Sequence, residues 1–221
     1  MTNWQDPRYK ELSTAEISDA LDFFGLPGPA HGLGCVTGDH KIMGRAFTVR
    51  FAPVDPLNAG TVGDFIDDVE ETEIIVLDNE GRTDCTVWGG ILSQIAKRKN
   101  LRGTVIHGVC RDSHEAMDCG YPIFSRGTFM RTGKDRVQVE EVGGAVSLGD
   151  VRVNPGDLLV GDRDGVVVIP FSRVLEVLER AVKTRQAEQD IIQATESGSS
   201  LRAAREALGY HTLQRKQAGQ A

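Results

Sequence analysis

The chain has 221 residues, of which 40 % are hydrophobic and 26 % charged, with 25 glycines and a formal net charge of −7. A length of this order builds a hydrophobic core without disulfides or metals to hold it, and the excess of glycine points to many short elements rather than a helical bundle. The acidic balance argues against nucleic acid as a partner, because binders of phosphate backbones present a basic face, and the densest basic run is only Lys97-Arg98-Lys99 with Arg102.

In chain order, the first predicted element is a helix over Glu11–Phe24. Ser13 followed by Glu16 forms a capping pair, and Leu12, Ile17, Ala20, Leu21 and Phe24 recur at helical spacing. Gly25 and the glycine- and proline-rich run after it end that helix. Arg45–Phe51 alternates and is β-branched and aromatic, which predicts a strand. A short helix is expected within Thr61–Glu70, then a buried strand over Glu73–Asp78 that ends in a polar loop, Asn79–Thr83. A helix over Gly89–Asn100 follows, then a second buried strand over Thr104–Val109, with Arg111 and Asp112 just past its end. Ser113–Cys119 reads as helical, and an extended segment starts at Gly120. Beyond it come short strands at Val137–Val142, Val151–Val153, Leu158–Gly161 and Gly165–Ile169, separated by glycine turns. A long helix is predicted from Phe171 to about Thr195.

This order implies an α/β fold in one domain over residues 1–195, with a polar, helical tail over 196–221. The strand–helix–strand from 73 to 109 is expected to be a right-handed parallel crossover. Ligands of such units gather at the carboxyl ends of the strands, so the first places to look are the loop from Asp78 to Gly90 and the segment from Gly108 to Asp112. The start of the sequence lacks the apolar stretch of a secretory signal. No run of about 18 apolar residues offers a membrane span, and none of the four cysteines forms a CxxC pair. A cytoplasmic protein with reduced thiols is therefore expected.

Several residues carry possible chemistry. Arg111 offers an always-charged fork for a carboxylate, and Asp112 offers oxygens suited to Mg²⁺ or Mn²⁺; taken alone, the pair is more simply a surface ion pair. Gly89 and Gly90 at a helix start leave bare amides that favour an anion, although a glycine pair is also what a tight turn requires. His107, inside a strand, and His114, on the next helix, are candidate acid/base groups or ligands, or simply satisfied histidines. The acidic residues from Asp64 to Glu73 lack the spacing of a calcium loop. No GxGxxG or GxxxxGK[ST] loop, and no nucleophile motif, occurs.

Taken together, LSTAEISDAL, KIMGRAFTV, VLDNEG, VWGGIL, GTVIHGVCRD, YPIFSRG and VRVNPGDLLVGDRDGVVVIP, in this order, resemble the RraA-like family over about residues 11–190. That family includes the class II 4-hydroxy-4-methyl-2-oxoglutarate / 4-carboxy-4-hydroxy-2-oxoadipate aldolases. The resemblance implies a swivelling β/β/α domain assembled as homotrimers or homohexamers, with active sites between subunits. It also implies a divalent-metal-dependent carbon–carbon lyase that cleaves 4-hydroxy-2-oxo acids to pyruvate, or decarboxylates oxaloacetate, with Mg²⁺ or Mn²⁺ as cofactor. By the same resemblance Asp112 is a metal ligand, Arg111 meets the substrate's oxygens, and the amides around Gly89, Gly90, Ile91 and Leu92 hold the pyruvate carboxylate. Glu188 matches a glutamate that a neighbouring subunit brings near the metal. The sequence departs from the family at Gly90, where its aldolases usually carry an acid. Asp78 or Asp84 is then a candidate for the missing carboxylate, and His107 a candidate acid/base. The alternative function implied by the family is a non-catalytic regulator that binds a ribonuclease by protein–protein contact.

Overall fold

The computed structural model describes residues 4–210, which form two compact units: one of residues 29–171, the other of residues 4–28 together with 172–210. The chain enters the second of these through α1 (Pro7–Lys10) and α2 (Thr14–Phe24). The expected capping pair is present: Ser13 Oγ accepts from the Glu16 amide at 3.2 Å, and the Ser13 amide donates to Glu16 Oε2 at 2.7 Å. Gly25 ends α2 in the left-handed conformation, φ 65°.

The sheet unit begins with two-residue strands, β1 (Pro29–Ala30) and β2 (Gly34–Cys35). Its centre is four neighbouring parallel strands: β3 (Ile42–Pro53), β4 (Ile74–Thr86), β5 (Gly103–Val109) and β6 (Ile123–Ser125). Ile74–Leu77 is wholly buried, as a parallel strand covered on both faces must be. Between β4 and β5 runs α3 (Gly90–Arg98), and between β5 and β6 runs α4 (Ser113–Asp118). The predicted parallel pairing holds from Ile74 opposite Gly103 to Asp78 opposite His107. Next come β7 (Val137–Val142), antiparallel to β3, the hairpin of β8 (Val146–Leu148) and β9 (Val151–Val153), and then β10 (Leu158–Asp162) and β11 (Gly165–Ile169). Among the described residues the large sheet has nine strands in the order β1-β11-β10-β3-β4-β5-β6-β2, with β7 beside β3.

Alternation of side chains divides the core in two. Val49, Phe51, Ile75, Leu77 and Ile106 point to the helical face, where they pack with Trp88, Ala96 and Ala116. Ala46, Ile74, Val76 and Val105 point to the other face, against Val146, Leu148, Val151 and Val153 of the β8–β9 hairpin. The mixed α/β fold read from the sequence is what forms.

Two local expectations are corrected. Asn79–Thr83 is not a loop: β4 runs on to Thr86 through register shifts at Asp78/Arg82 and Arg82/Thr86. The irregularity is taken up at Glu80 (φ 53°) and Gly81 (φ 68°). The acidic stretch within Thr61–Glu70 forms only a 3₁₀ turn, Asp64–Asp68.

The helical unit is completed by α5 (Val174–Glu196) and α6 (Leu201–Ala207). Leu12, Ile17, Ala20 and Leu21 are buried on one side, and Val174, Val177, Leu178 and Ala181 on the other. The Tyr9 hydroxyl donates to Glu179 Oε1 at 2.7 Å. Burial, then the Glu179 carboxylate, push that phenol up to about 12. The predicted tail is helical in α6; residues 211–221 lie outside the described residues.

Candidate active site

The ends of β4 and β5 and the first turns of α3 and α4 enclose a cleft of about 310 Å³. Its floor is Trp88, which is buried, stacks on Tyr121 at 6.0 Å between ring centres, and donates from Nε1 to Ser93 Oγ at 3.0 Å. Thr86 Oγ1 donates to the Trp88 carbonyl at 2.8 Å and accepts from the Trp88 amide at 3.1 Å, which fixes the chain where it leaves the strand. Val62 and Leu92 form apolar walls, and Ile91 stands exposed at the rim.

Arg111 and Asp112 leave β5 and cross to this cleft. The Arg111 amide donates to the Trp88 carbonyl at 3.1 Å, tying the two strand ends together. Asp112 has φ 54° and ψ 35°, a left-handed conformation that costs little for aspartate and more for most residues. From there its Oδ2 accepts from the Gly90 amide at 3.1 Å and lies 3.4 Å from Arg111 Nε.

Gly89 lets Asp112 and Arg111 approach closely. A Cβ on it would stand 3.0 Å from Asp112 Oδ2 and 3.2 Å from Arg111 Nε. Its own backbone is extended (φ −154°), so a side chain there would meet no backbone strain but would push Asp112 and Arg111 aside by a few tenths of an ångström. Gly89 also caps α3 with no side-chain hydrogen bond. The amides of Ile91 and Leu92 in the first turn have no acceptor within the helix, and their dipoles favour an anion at this end.

The structure thus brings together six of the residues singled out in the sequence: Gly89, Gly90, Ile91, Leu92, Arg111 and Asp112 all line the cleft. It does not bring His107 there. Residues 105 and 107 share one face of β5 and Ile106 the other, so His107 sits on the side of the β8–β9 hairpin, away from α3 and α4. There its Nδ1 pairs with Asp78 Oδ1 at 3.1 Å and its Nε2 lies 3.5 Å from Arg126 Nη1. Asp78 shares that face and also accepts from the amides of Ser147 (3.0 Å) and Glu80 (2.9 Å). Burial would raise its carboxyl, but His107 and the two amides outweigh it and hold it below the usual carboxylate range. Asp84 is exposed and paired to Arg82 at 2.9 Å. Neither Asp78 nor Asp84 therefore stands in for the absent acid at position 90. His114 is exposed on α4. Glu188 belongs to the helical unit, half-buried on α5; burial, with Glu16 and Asp19 nearby, holds its carboxyl above the usual range.

The sequence reading missed Glu115. It lines the cleft from the first turn of α4, and Gln94 Nε2 donates to its Oε2 at 3.4 Å. The available signal was its place three residues after Asp112 at a helix start. Among the described residues no group of three or more His, Cys, Asp or Glu side chains is arranged to hold a metal. The cleft's own charged groups are Arg111, Asp112 and Glu115. An all-oxygen pair of carboxylates suits a hard cation that keeps most of its waters, as Mg²⁺ does.

Residues 14–168 match the family described as RraA-like, Aldolase/RraA. The chain belongs to the RraA-like family. The match takes in β3, β4, β5 and the whole cleft. Protein DlpA of Legionella pneumophila is 38 % identical over 200 residues, 90 % of this chain; the chain spans about a third (32 %) of that protein's length. A Halalkalibacterium halodurans protein, which bears the provisional name 4-hydroxy-4-methyl-2-oxoglutarate aldolase, is 33 % identical over 83 % of this chain and 84 % of its own. Among solved structures, a protein from Pseudomonas syringae pv. tomato superposes with a TM-score of 0.83 at 40 % identity, covering 90 % of this chain and 94 % of that one. No helix among the described residues is long and apolar enough to cross a membrane.

Proposed function

We propose that this RraA-like chain is a divalent-metal-dependent carbon–carbon lyase acting on 2-oxo acids. It cleaves a 4-hydroxy-2-oxo acid to pyruvate and a second oxo compound, or releases CO₂ from oxaloacetate. The observation that carries this reading is the convergence of Arg111 and Asp112 on the bare N-terminus of α3 in one cleft. The aldolase name of the Halalkalibacterium halodurans relative agrees with it.

Both reactions break the bond between C3 and C4 and leave its electron pair on C3, conjugated with the 2-oxo group. In the aldol cleavage the C4 hydroxyl gives up its proton and becomes the second carbonyl; in the decarboxylation C4 leaves as CO₂. Negative charge therefore gathers on the 2-oxo oxygen, and a site earns its rate by stabilising charge there more than in the bound substrate. The amides of Ile91 and Leu92, at the positive end of α3, are suited to the C1 carboxylate. Arg111, with its fixed fork of donors, is suited to the oxygens beside it. Asp112 would hold Mg²⁺ or Mn²⁺, which supplies Lewis-acid polarisation of a 2-oxo group. Trp88, Val62 and Leu92 keep the floor and walls apolar, which strengthens each of these charge interactions. Assembly as a trimer or hexamer, with Glu188 contributed by a neighbouring subunit, and a cytoplasmic location are part of the same proposal.

The test is pyruvate release from oxaloacetate and from 4-hydroxy-4-methyl-2-oxoglutarate, followed through lactate dehydrogenase with Mg²⁺, Mn²⁺ or EDTA. The blank contains the same metal, which decarboxylates oxaloacetate slowly unaided. Metal-dependent turnover above the blank, lost in Asp112→Asn, is the expected result. No turnover with either substrate and either metal would refute the lyase and leave the family's other reading, a regulator that binds a ribonuclease, to be tested by pull-down and RNA cleavage.

A further inference from the structure

Gly90 lies in the first turn of α3 with an ordinary helical backbone, so its conformation does not call for glycine. The space above it does. A Cβ on residue 90 would collide with Glu115: it would stand 2.5 Å from Cδ and 3.0 Å from Oε1, with Oε2 closer still. The Glu115 carboxyl therefore occupies the place that a side chain at 90 would take. On the adjoining side, the Gly90 amide is held by Asp112 Oδ2. Two carboxylates from the same short segment thus close over one glycine.

Their partners are unequal. Asp112 has the Gly90 amide and Arg111. Glu115 has only the long 3.4 Å contact from the neutral Gln94 amide. The single cation among the cleft-lining residues, Arg111, is on the Asp112 side. Like charges gathered in a partly enclosed cleft repel unless a cation joins them. Among the described residues Glu115 makes no ion pair, although Lys97 and Arg98 line the neighbouring surface with it; a carboxylate set beside Asp112 over a residue without a side chain is arranged for one further cation.

We propose that Glu115, together with Asp112, holds the divalent cation of this cleft, and that Gly90 is glycine in order to admit the Glu115 carboxylate. This rests on the metal-dependent reading above and adds a second carboxylate, for which the sequence had offered Asp78 or Asp84 as candidates. It also makes positions 90 and 115 competitors: a side chain at 90 displaces the Glu115 carboxylate from where it stands.

The test is Mn²⁺ titration of the full chain, with free Mn²⁺ read by its electron paramagnetic resonance signal. Glu115→Gln, Asp112→Asn and the exchange Gly90→Asp/Glu115→Ala are compared with the parent, and circular dichroism verifies that each is folded. Glu115→Gln is expected to weaken Mn²⁺ binding about 10- to 100-fold, the range found when a supporting carboxylate is lost. The exchange is expected to bring affinity back toward the parent. Parent and Glu115→Gln binding Mn²⁺ equally would overturn this inference while leaving the lyase reading in place. A parent that binds no Mn²⁺ would overturn both.

Discussion

Replacing Asp78 removes an acceptor from three donors at once and tests whether it is structural or catalytic. Its side chain is only 10 % exposed and takes hydrogen bonds from His107 and from the amides of Ser147 and Glu80. Each buried donor left without an acceptor costs ~1–3 kcal/mol. Asp78→Ala orphans all three, and partial access of water to the His107 side brings the expected loss to about 3–5 kcal/mol. Asp78→Asn keeps one acceptor oxygen and is expected to cost about half of that. At ~2–4 °C per kcal/mol for a chain of this size, Asp78→Ala lowers Tm by roughly 10 °C and Asp78→Asn by roughly 5 °C. The lowered carboxyl also sets a pH dependence. Stability from the folded ionised form is present above the unfolded aspartate value, ~3.9, and is lost as pH falls through the lower folded value. The assay is thermal unfolding at pH 7 and at pH 3, with pyruvate release measured well below Tm. The parent loses stability between those pH values, whereas Asp78→Asn loses less. Turnover of Asp78→Asn stays near the parent's, because the residue faces away from the cleft. A Tm within 1 °C of the parent, or turnover reduced as far as in Asp112→Asn, would refute this assignment.

Three further outcomes are expected. Gly89→Ala places a methyl against Asp112 and Arg111; as a misplacement of ~1 Å costs about 100-fold, a displacement of a few tenths of an ångström lowers the kcat of the proposed reaction about 3- to 10-fold while Tm moves little, and unchanged kcat would show that the contact does not govern the site. The Cys110 thiol, wholly buried and pushed up to about 11 by that burial, stays unreactive to a disulfide reagent at pH 8 in the folded chain and reacts on unfolding; fast reaction in the folded chain would contradict its placement. Ser13→Ala removes the Oγ that accepts the Glu16 amide and costs about 1 kcal/mol, read as a lower urea midpoint with unchanged slope; a midpoint equal to the parent's would mean that the cap is replaced by water.

The sequence showed best where local chemistry and tertiary need coincide. The Ser13–Glu16 cap, the Gly25 stop and the fully apolar Ile74–Leu77 strand were all legible, since each is dictated by residues within a few positions of one another. The extension of β4 to Thr86 was not, because Asn79–Asp84 is polar and its pairing depends on a bulge at Glu80 and Gly81 that carries no apolar period. β8 escaped notice although the equally short β9 did not, because Val151-Arg152-Val153 alternates apolar with charged whereas Val146-Ser147-Leu148 sits between Gly143-Gly144 and Gly149 and reads as part of a glycine turn. For the cleft, the glycines and the Arg111–Asp112 pair were visible as types of residue. Which face His107 takes was open to the alternation Val105-Ile106-His107, but that argument needs to know which face bears the helices. Glu115 was hidden for another reason: its meaning lies in the empty volume over Gly90, twenty-five positions earlier, and spacing along a chain says nothing about volume.

The left-handed turn at Asp112 ties two selections to one position. Aspartate, asparagine and glycine are the residues that accept φ near 54° at small cost, so a library filtered for folded protein alone would already be narrowed at 112 to these three. Only one of the three carries a charge. Filtering the same library a second time for cation uptake would therefore read chemistry almost free of folding, with Asp112→Asn and Asp112→Gly as folded, uncharged references. Asp112→Ala, by contrast, mixes the two and would overstate what the carboxylate does.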